Sequence, residues 1–290
     1  MAEVSIREVG PRDGLQREAP MESARRLELI GALAACGFGD MEVAAFVSER
    51  AVPAMAGAAE IVAGLPAGSG CTWWALVPNL VGAERATTAG ITDVTVTVSA
   101  SEGYSQRNVS MSVAESAAQA LAIIPKVSRA DVVISCAFGS PYEATIDPHA
   151  VAALAARFTG AGATVTLADT TGVASPRRLG ELLDLTGTTV GLHLHDTRGT
   201  ALVNAYAAFE LGVRRFDTSV GGLGGSPFAD DAGGNLATED LVHLLDDLGV
   251  ATGIDLGRLV DVDASLREWL GRPLAGRVAE TELRRRAAPQ

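Results

Sequence analysis

The 290-residue chain is short of aromatic residues, which make up 4% of it, and it has three cysteines, Cys36, Cys71 and Cys136. None of these forms a CxxC pair or a metal-type cluster, so the sparse, odd set reads as reduced intracellular thiols and not as a disulfide framework. Positive charge is scarce as well. With 23 Lys and Arg against 35 Asp and Glu, the formal net charge is −12, which denies the chain the basic face a nucleic-acid binder needs. An anionic small substrate is still allowed, because a metal ion and an arginine make a site locally positive in an acidic protein. No basic segment followed by an apolar run opens the sequence, and no apolar stretch is long enough to span a bilayer. The expectation is a soluble, cytoplasmic protein with neither nucleic-acid nor membrane partners.

What is present is a large apolar fraction, 48% of residues against 20% charged, ample for a sizeable core. Short β-branched or apolar runs recur at Val4–Val9, Asp40–Phe46, Thr72–Val77, Asp93–Ser99, Asp131–Phe138, Thr164–Ala168, Val190–His195 and Arg215–Val220. Between or after them lie helical segments such as Ser23–Cys36, Ser112–Val127, Pro148–Thr159, Pro176–Leu185, Thr200–Leu211 and Thr238–Leu248. Eight strands alternating with helices, without a long polar linker, predict an α/β fold of the (β/α)8 TIM-barrel type. A doubly wound open sheet fits less well, since no GxGxxG follows the first strand. The predicted organisation is one domain over 1–290, with the barrel over about 4–250 and a short helical extension over about 251–290. The amphipathic segment Asp255–Leu270 leads to a tail ending in Arg284, Arg285 and Arg286, which reads as a solvated charge run.

Barrel active sites form where the strands end at their C-termini, and polar residues gather there. The first strand runs into Gly10-Pro11-Arg12-Asp13-Gly14-Leu15-Gln16, the second carries Glu42 in an apolar run, and the sixth ends at Asp169. The seventh holds His193 and His195, two of the four histidines in the chain. Side chains on a strand alternate with period two, so both imidazoles point the same way, into the barrel mouth. With oxygen donors from Asp13 and Asn235 they make a mixed N/O set that suits Mg²⁺ or Mn²⁺ better than structural zinc. Arg12 at a strand end suits a guanidinium aimed at a substrate oxyanion. Glu42, costly to bury alone, should pair with Arg12 or act on substrate. After the eighth strand comes a glycine-rich loop, Gly221-Gly222-Leu223-Gly224-Gly225-Ser226-Pro227, followed by Gly233-Gly234-Asn235. Its place over the mouth predicts a mobile lid. His149 and His243 fall in helical segments, and no role is expected of them.

These stretches resemble the 3-hydroxy-3-methylglutaryl-CoA (HMG-CoA) lyases, of the metallolyase barrels that also include isopropylmalate and homocitrate synthases. The resemblance runs from Val4 to about Val278 and rests on EVGPRDGLQ (Glu8–Gln16), MEVAAFVSERAVPAM (Met41–Met55), VPNLVGAE (Val77–Glu84), SASEGYSQRNVSMS (Ser99–Ser112), ISCAFGSPYE (Ile134–Glu143), ADTTG (Ala168–Gly172), GLHLHDTRG (Gly191–Gly199) and SVGGLGGSPFADDAGGNLATEDLV (Ser219–Val242). Asp196 after His195, where the synthases usually carry Asn, favours the lyase branch. The likeness implies a divalent metal on Asp13, His193, His195 and Asn235, and an acyl-CoA substrate touching Arg12, Gln16, Gly222 and Gly224. Arg12 would stabilise the enolate of the leaving acetyl-CoA, with Glu42 and Asp169 handling and orienting protons. It also implies a homodimer and a retro-aldol cleavage giving acetyl-CoA and a keto acid, acetoacetate by default. One position departs: the family's lid reads GGCP with a catalytic thiol, and here Ser226 takes the cysteine's place. A serine hydroxyl does not ionise readily near neutrality, so a related lyase or condensing enzyme for another hydroxyacyl substrate is the first alternative. A barrel that only binds metal and ligand is the second.

Overall fold

The structure is a computed structural model that describes residues 4–225 and 233–288. Eight strands follow one another around a closed parallel barrel: β1 (Ser5–Glu8), β2 (Asp40–Ala45), β3 (Thr72–Val77), β4 (Asp93–Ser99), β5 (Arg129–Ser135), β6 (Thr164–Asp169), β7 (Gly191–Leu194) and β8 (Arg215–Thr218). The circle closes where β8 pairs with β1, Arg215 through Thr218 lying opposite Ser5 through Glu8. Around it run α1 (Ser23–Ala34), α2 (Ala58–Ala63), α3 (Leu80–Ala89), α4 (Glu102–Val109), α5 (Val113–Ile123), α6 (Pro148–Gly160), α7 (Pro176–Thr186), α8 (Ala201–Leu211) and α9 (Thr238–Asp247). The extension is α10 (Leu256–Leu270) and α11 (Arg277–Ala287). The fold is therefore the (β/α)8 barrel that the strand–helix alternation predicts. Among the described residues no helix is long and apolar enough to cross a membrane.

Local chemistry sets most of the helix starts. The side chains of Asn79, Ser101, Ser112, Asp147, Ser175 and Asp255 each accept a backbone N–H from the first turn that follows, meeting donors that a helix leaves unpaired. The apolar faces then close on the barrel wall, with Leu29, Ile30 and Leu33 of α1 fully buried alongside Met41 and Val43 of β2. The barrel interior is unusual towards its N-terminal end. Where branched apolar side chains normally fill the layers, Arg7 gives two hydrogen bonds of 2.8 Å to the Asp217 carboxylate and a third of 2.8 Å to Asp131. Asp131 also accepts from the Thr164 and Thr166 hydroxyls and from Arg215.

Two local expectations change. The fifth strand begins at Arg129 and stops at Ser135, short of Phe138, because Cys136 has a φ of +58° that turns the chain out of the sheet. The basic tail is solvent-facing but ordered as the last turns of α11, where Arg284, Arg285 and Arg286 pair with Glu280, Glu282 and Asp261.

Candidate active site

The mouth is assembled from three places in the chain. Beyond β1, Gly10–Gly14 forms a single buried π-helical turn, a widened turn often found at functional sites, and it carries Arg12 and Asp13 inward. On β7, His193 sits in register with Ala168 of β6 and Asp217 of β8, and His195 follows on the same side. After β8 the chain returns antiparallel to the end of β7: Asn235 pairs with His195, flanked by Asp196 N–H to the Gly234 carbonyl and Leu236 N–H to the Leu194 carbonyl, each at 2.8 Å. That short bridge is what brings Asn235 beside the histidines.

Ligand atoms of Asp13, His193 and His195 all lie within 4.8 Å of one another, and the three residues are buried. His193 Nε2 is 3.2 Å from His195 Nε2 and 3.9 Å from Asp13 Oδ2. Donor atoms sharing one hard cation, each about 2.0–2.6 Å from it, would sit roughly 3–3.5 Å apart. Asn235 donates through Nδ2 to Asp13 Oδ2 at 2.7 Å and to the Leu223 carbonyl at 2.8 Å. Its buried Oδ1 has no partner among the described residues. Burial and the neighbouring His193 push the His195 imidazole down to about 4, so it is a neutral nitrogen donor at pH 7. Burial works against the Asp13 carboxylate, but Arg12 and the two histidines outweigh it and hold Asp13 below the usual range. An anionic oxygen, a neutral imidazole and an unpaired amide oxygen in one buried cluster fit a divalent cation. Gly224 completes the enclosure: at φ +119°, any Cβ there would lie 2.3 Å from Asn235 Nδ2 and 3.0 Å from Asp13 Oδ2.

Arg12 is gripped from two sides. Its Nε pairs with Glu42 Oε2 and its Nη1 donates to Asp13 Oδ1 at 2.7 Å, leaving Nη2 without a partner among the described residues. Glu42 Oε1 is likewise buried and unpartnered among them. Arg12, Asp13 and both histidines line a cavity of about 320 Å³ whose other wall is largely apolar, with Val47, Val52, Met55, Leu76 and Val133.

The other expected site residues fall differently. Gln16 lines the cavity, but its amide donates to Asp13 Oδ1 at 2.8 Å. Gly222 lies against Ala275, Ala237 and the Asn235 carbonyl, behind the mouth. Asp169 is not brought to the cluster. Ala168 and Thr170 line the cavity, so the residue between them faces the other way, and its carboxylate accepts the Val173 and Ala174 N–H groups at 2.9 and 3.0 Å. Burial raises it to about 6 against these bonds. Ser226, and with it the tip of the expected lid, lies outside the described residues. His149 and His243 lie on α6 and α9, away from the cluster. Sequence reading passed over Asp217, which reaches His193, and Arg7, which holds it. The available signal was a charged residue inside each of two strands that close the barrel.

Fold and site together define a (β/α)8 barrel with a buried cluster able to hold a divalent metal, and its relatives place it among the carbon–carbon lyases. The chain belongs to the HMGL-like family, whose profile matches residues 3–266. It is similar to the hydroxymethylglutaryl-CoA lyase of Pseudomonas mevalonii, 41% identical with 93% of this chain and 94% of that one covered. It is as similar, at 41%, to the (R)-citramalyl-CoA lyase of Chloroflexus aurantiacus, with 97% and 95% covered. An HMG-CoA lyase structure from Acinetobacter baumannii, in complex with coenzyme A and 3-methylmalate, superposes with a TM-score of 0.91 at 35% identity, covering 96% of this chain and 94% of that one.

Proposed function

We propose that this enzyme cleaves a 3-hydroxyacyl-CoA, with HMG-CoA as the default substrate, to acetyl-CoA and a keto acid, acetoacetate in the default case. We further propose Mg²⁺ or Mn²⁺ as the metal, a homodimer as the working form and the cytoplasm as its place. The observation that carries the reading is the buried Asp13–His193–His195 cluster with Asn235 Oδ1 unpaired and the Arg12 guanidinium alongside.

A divalent cation would be held by Asp13, His193, His195 and Asn235 and would supply Lewis acidity towards the substrate's tertiary hydroxyl. The hydroxyl gives its proton to Glu42 Oε1, the oxygen pair forms the ketone, the electrons of the broken C–C bond pass into the thioester as an enolate, and one proton, from Glu42 or water, returns to the enolate carbon. Arg12 stabilises that enolate oxygen through the nitrogen its two carboxylate partners leave free. Glu42 fixes the guanidinium with one oxygen and offers the other, unpartnered, to a proton donor on the substrate. Asp169 shapes the loop that presents Thr170 to the cavity.

A second reading, a relative acting on another hydroxyacyl-CoA, is favoured by Ser226 in place of the lid thiol and by equal likeness to a citramalyl-CoA lyase. One assay tests both: metal-supplemented protein against HMG-CoA, citramalyl-CoA and longer 3-hydroxy-3-alkylglutaryl-CoA esters, following acetyl-CoA release. If HMG-CoA is the substrate, Ser226→Cys raises kcat by ~10²–10⁴. If another ester is the substrate, that ester turns over fastest and the substitution leaves HMG-CoA cleavage negligible. No cleavage of any ester by folded, metal-supplemented protein overturns the lyase reading.

A further inference from the structure

Asp217 has no place in the reaction as drawn, yet it touches a residue of the metal cluster. Its Oδ2 lies 3.3 Å from His193 Nδ1, and its two oxygens take 2.8 Å hydrogen bonds from Arg7 Nη2 and Nε. The placement follows from register: Asp217 pairs with Arg7 on β1 and with His193 on β7, so it stands between the arginine and the imidazole on the inner face of the closing strands. All three side chains are buried. An ionised carboxylate has no hydrogen to give, so His193 donates from Nδ1, and in the neutral ring its Nε2 then keeps the lone pair. Nε2 is the nitrogen that faces His195 Nε2 at 3.2 Å and Asp13 Oδ2 at 3.9 Å. The two hydrogen bonds from Arg7 fix both oxygens of the Asp217 carboxylate against β1. Arg7 is itself braced by Asp131 at 2.8 Å.

We infer that Asp217 is a positioning residue that selects the Nδ1–H tautomer of His193 and aims its Nε2 at the metal position, with Arg7 holding Asp217 in place. The inference rests on the reading of Asp13, His193 and His195 as metal ligands, and the test separates the two. In full-length, metal-free protein, ¹⁵N-detected imidazole spectra resolve only four histidines. With the pH raised until the His193 ring is neutral, the expected signal is a protonated Nδ1 and a bare Nε2; the opposite pattern overturns the inference without any variant. Calorimetric titration with Mn²⁺ then compares wild type with Asp217→Ala and Arg7→Gln. Removing the carboxylate is expected to weaken Mn²⁺ binding by ~10–100-fold, the usual effect of losing such a partner, and to move the His193 proton towards Nε2. Arg7→Gln keeps the carboxylate but frees it from its anchor, so it should move the tautomer only in part and weaken Mn²⁺ binding by ~3–10-fold, less than the loss in Asp217→Ala. Equal losses in the two variants would mean that the ion pair acts by packing alone, and would defeat the inference. A wild type that binds no Mn²⁺ defeats the metal reading instead, while the metal-free spectra still decide what Asp217 does to His193.

Discussion

Arg12 is held by Glu42 and Asp13 and still has one nitrogen to give. If that nitrogen acts on charge developing in the transition state, Arg12→Gln lowers kcat by at least ~100-fold with a much smaller change in KM. Lysine substitutes poorly, since an ammonium cannot bridge Glu42 and Asp13 as the planar fork does. Steady-state kinetics decide it: a loss confined to KM would mean that Arg12 only binds substrate. The residues of this cluster were legible in the sequence for a physical reason. A period of two puts His193 and His195 on one side of a strand, and a strand end is where a barrel exposes side chains. The same rule, applied one residue earlier, turns Asp169 away from the mouth, because its neighbours Ala168 and Thr170 occupy the inner face. Asp217 and Arg7 were missed because nothing in one sequence gives the register between the first and last strands, and that register alone puts them beside His193.

At the scale of elements, carboxylates join pieces of chain that hydrophobic packing leaves apart. Glu8, on β1, accepts the Gly10 and Val220 N–H groups at 2.7 and 3.0 Å and the Thr238 hydroxyl at 2.6 Å, tying the first strand to the start of α9. Burial raises Glu8 to about 7 against these bonds, and Asp169 to about 6. Both are above the unfolded value near 4, so between about pH 4 and 7 the folded chain binds more protons than the unfolded one. Stability therefore falls as pH rises from about 4 to about 7 and levels off above. Asp13, Asp131 and Asp217 are shifted down despite burial by their arginine partners, with His193 also acting on Asp13 and Asp217. The stability they contribute is present above about pH 4 and is lost below it. The expected outcome is a Tm that is highest near pH 4 to 5, declines to about pH 7 and levels off above it, with Glu8→Gln flattening the decline between about pH 5 and 7. Thermal scans across that range check it; an unchanged slope in the variant would show that Glu8 is ionised throughout. Strands and long helices were readable from their apolar periods. The six-residue α2 and the polar α4 have too little period to mark them, and α11 passed for a charged tail because its arginines find their acidic partners only once the chain is folded.

For the whole molecule, the extension is a brace for the site. The Ala275 N–H reaches the Gly221 carbonyl at 2.9 Å, Leu274 lies against Gly221, and Gly276 leaves room for buried Glu239, whose carboxylate accepts the Gly221 N–H. A Cβ on Gly276 would fall 1.7 Å from Glu239 Oε1, so Gly276→Val should cost ~1–3 kcal/mol of stability, as overpacking does, and should lower turnover through the glycine loop. Urea unfolding followed by assay of the folded fraction checks this; full activity per folded molecule would leave α11 as packing only. The barrel's closure carries one more consequence. Asp13 and Asn235, which touch, are 222 positions apart; Glu8 meets Val220 across 212, and Arg7 meets Asp217 across 210. The proposed metal would therefore straddle the seam where the last strand meets the first. It would be a clasp that cannot fasten until the entire ring has been synthesised and shut. A chain cut after β6 would own Asp13 but neither histidine, so metal uptake would report completed closure, and a half-built barrel would have nothing with which to hold the ion.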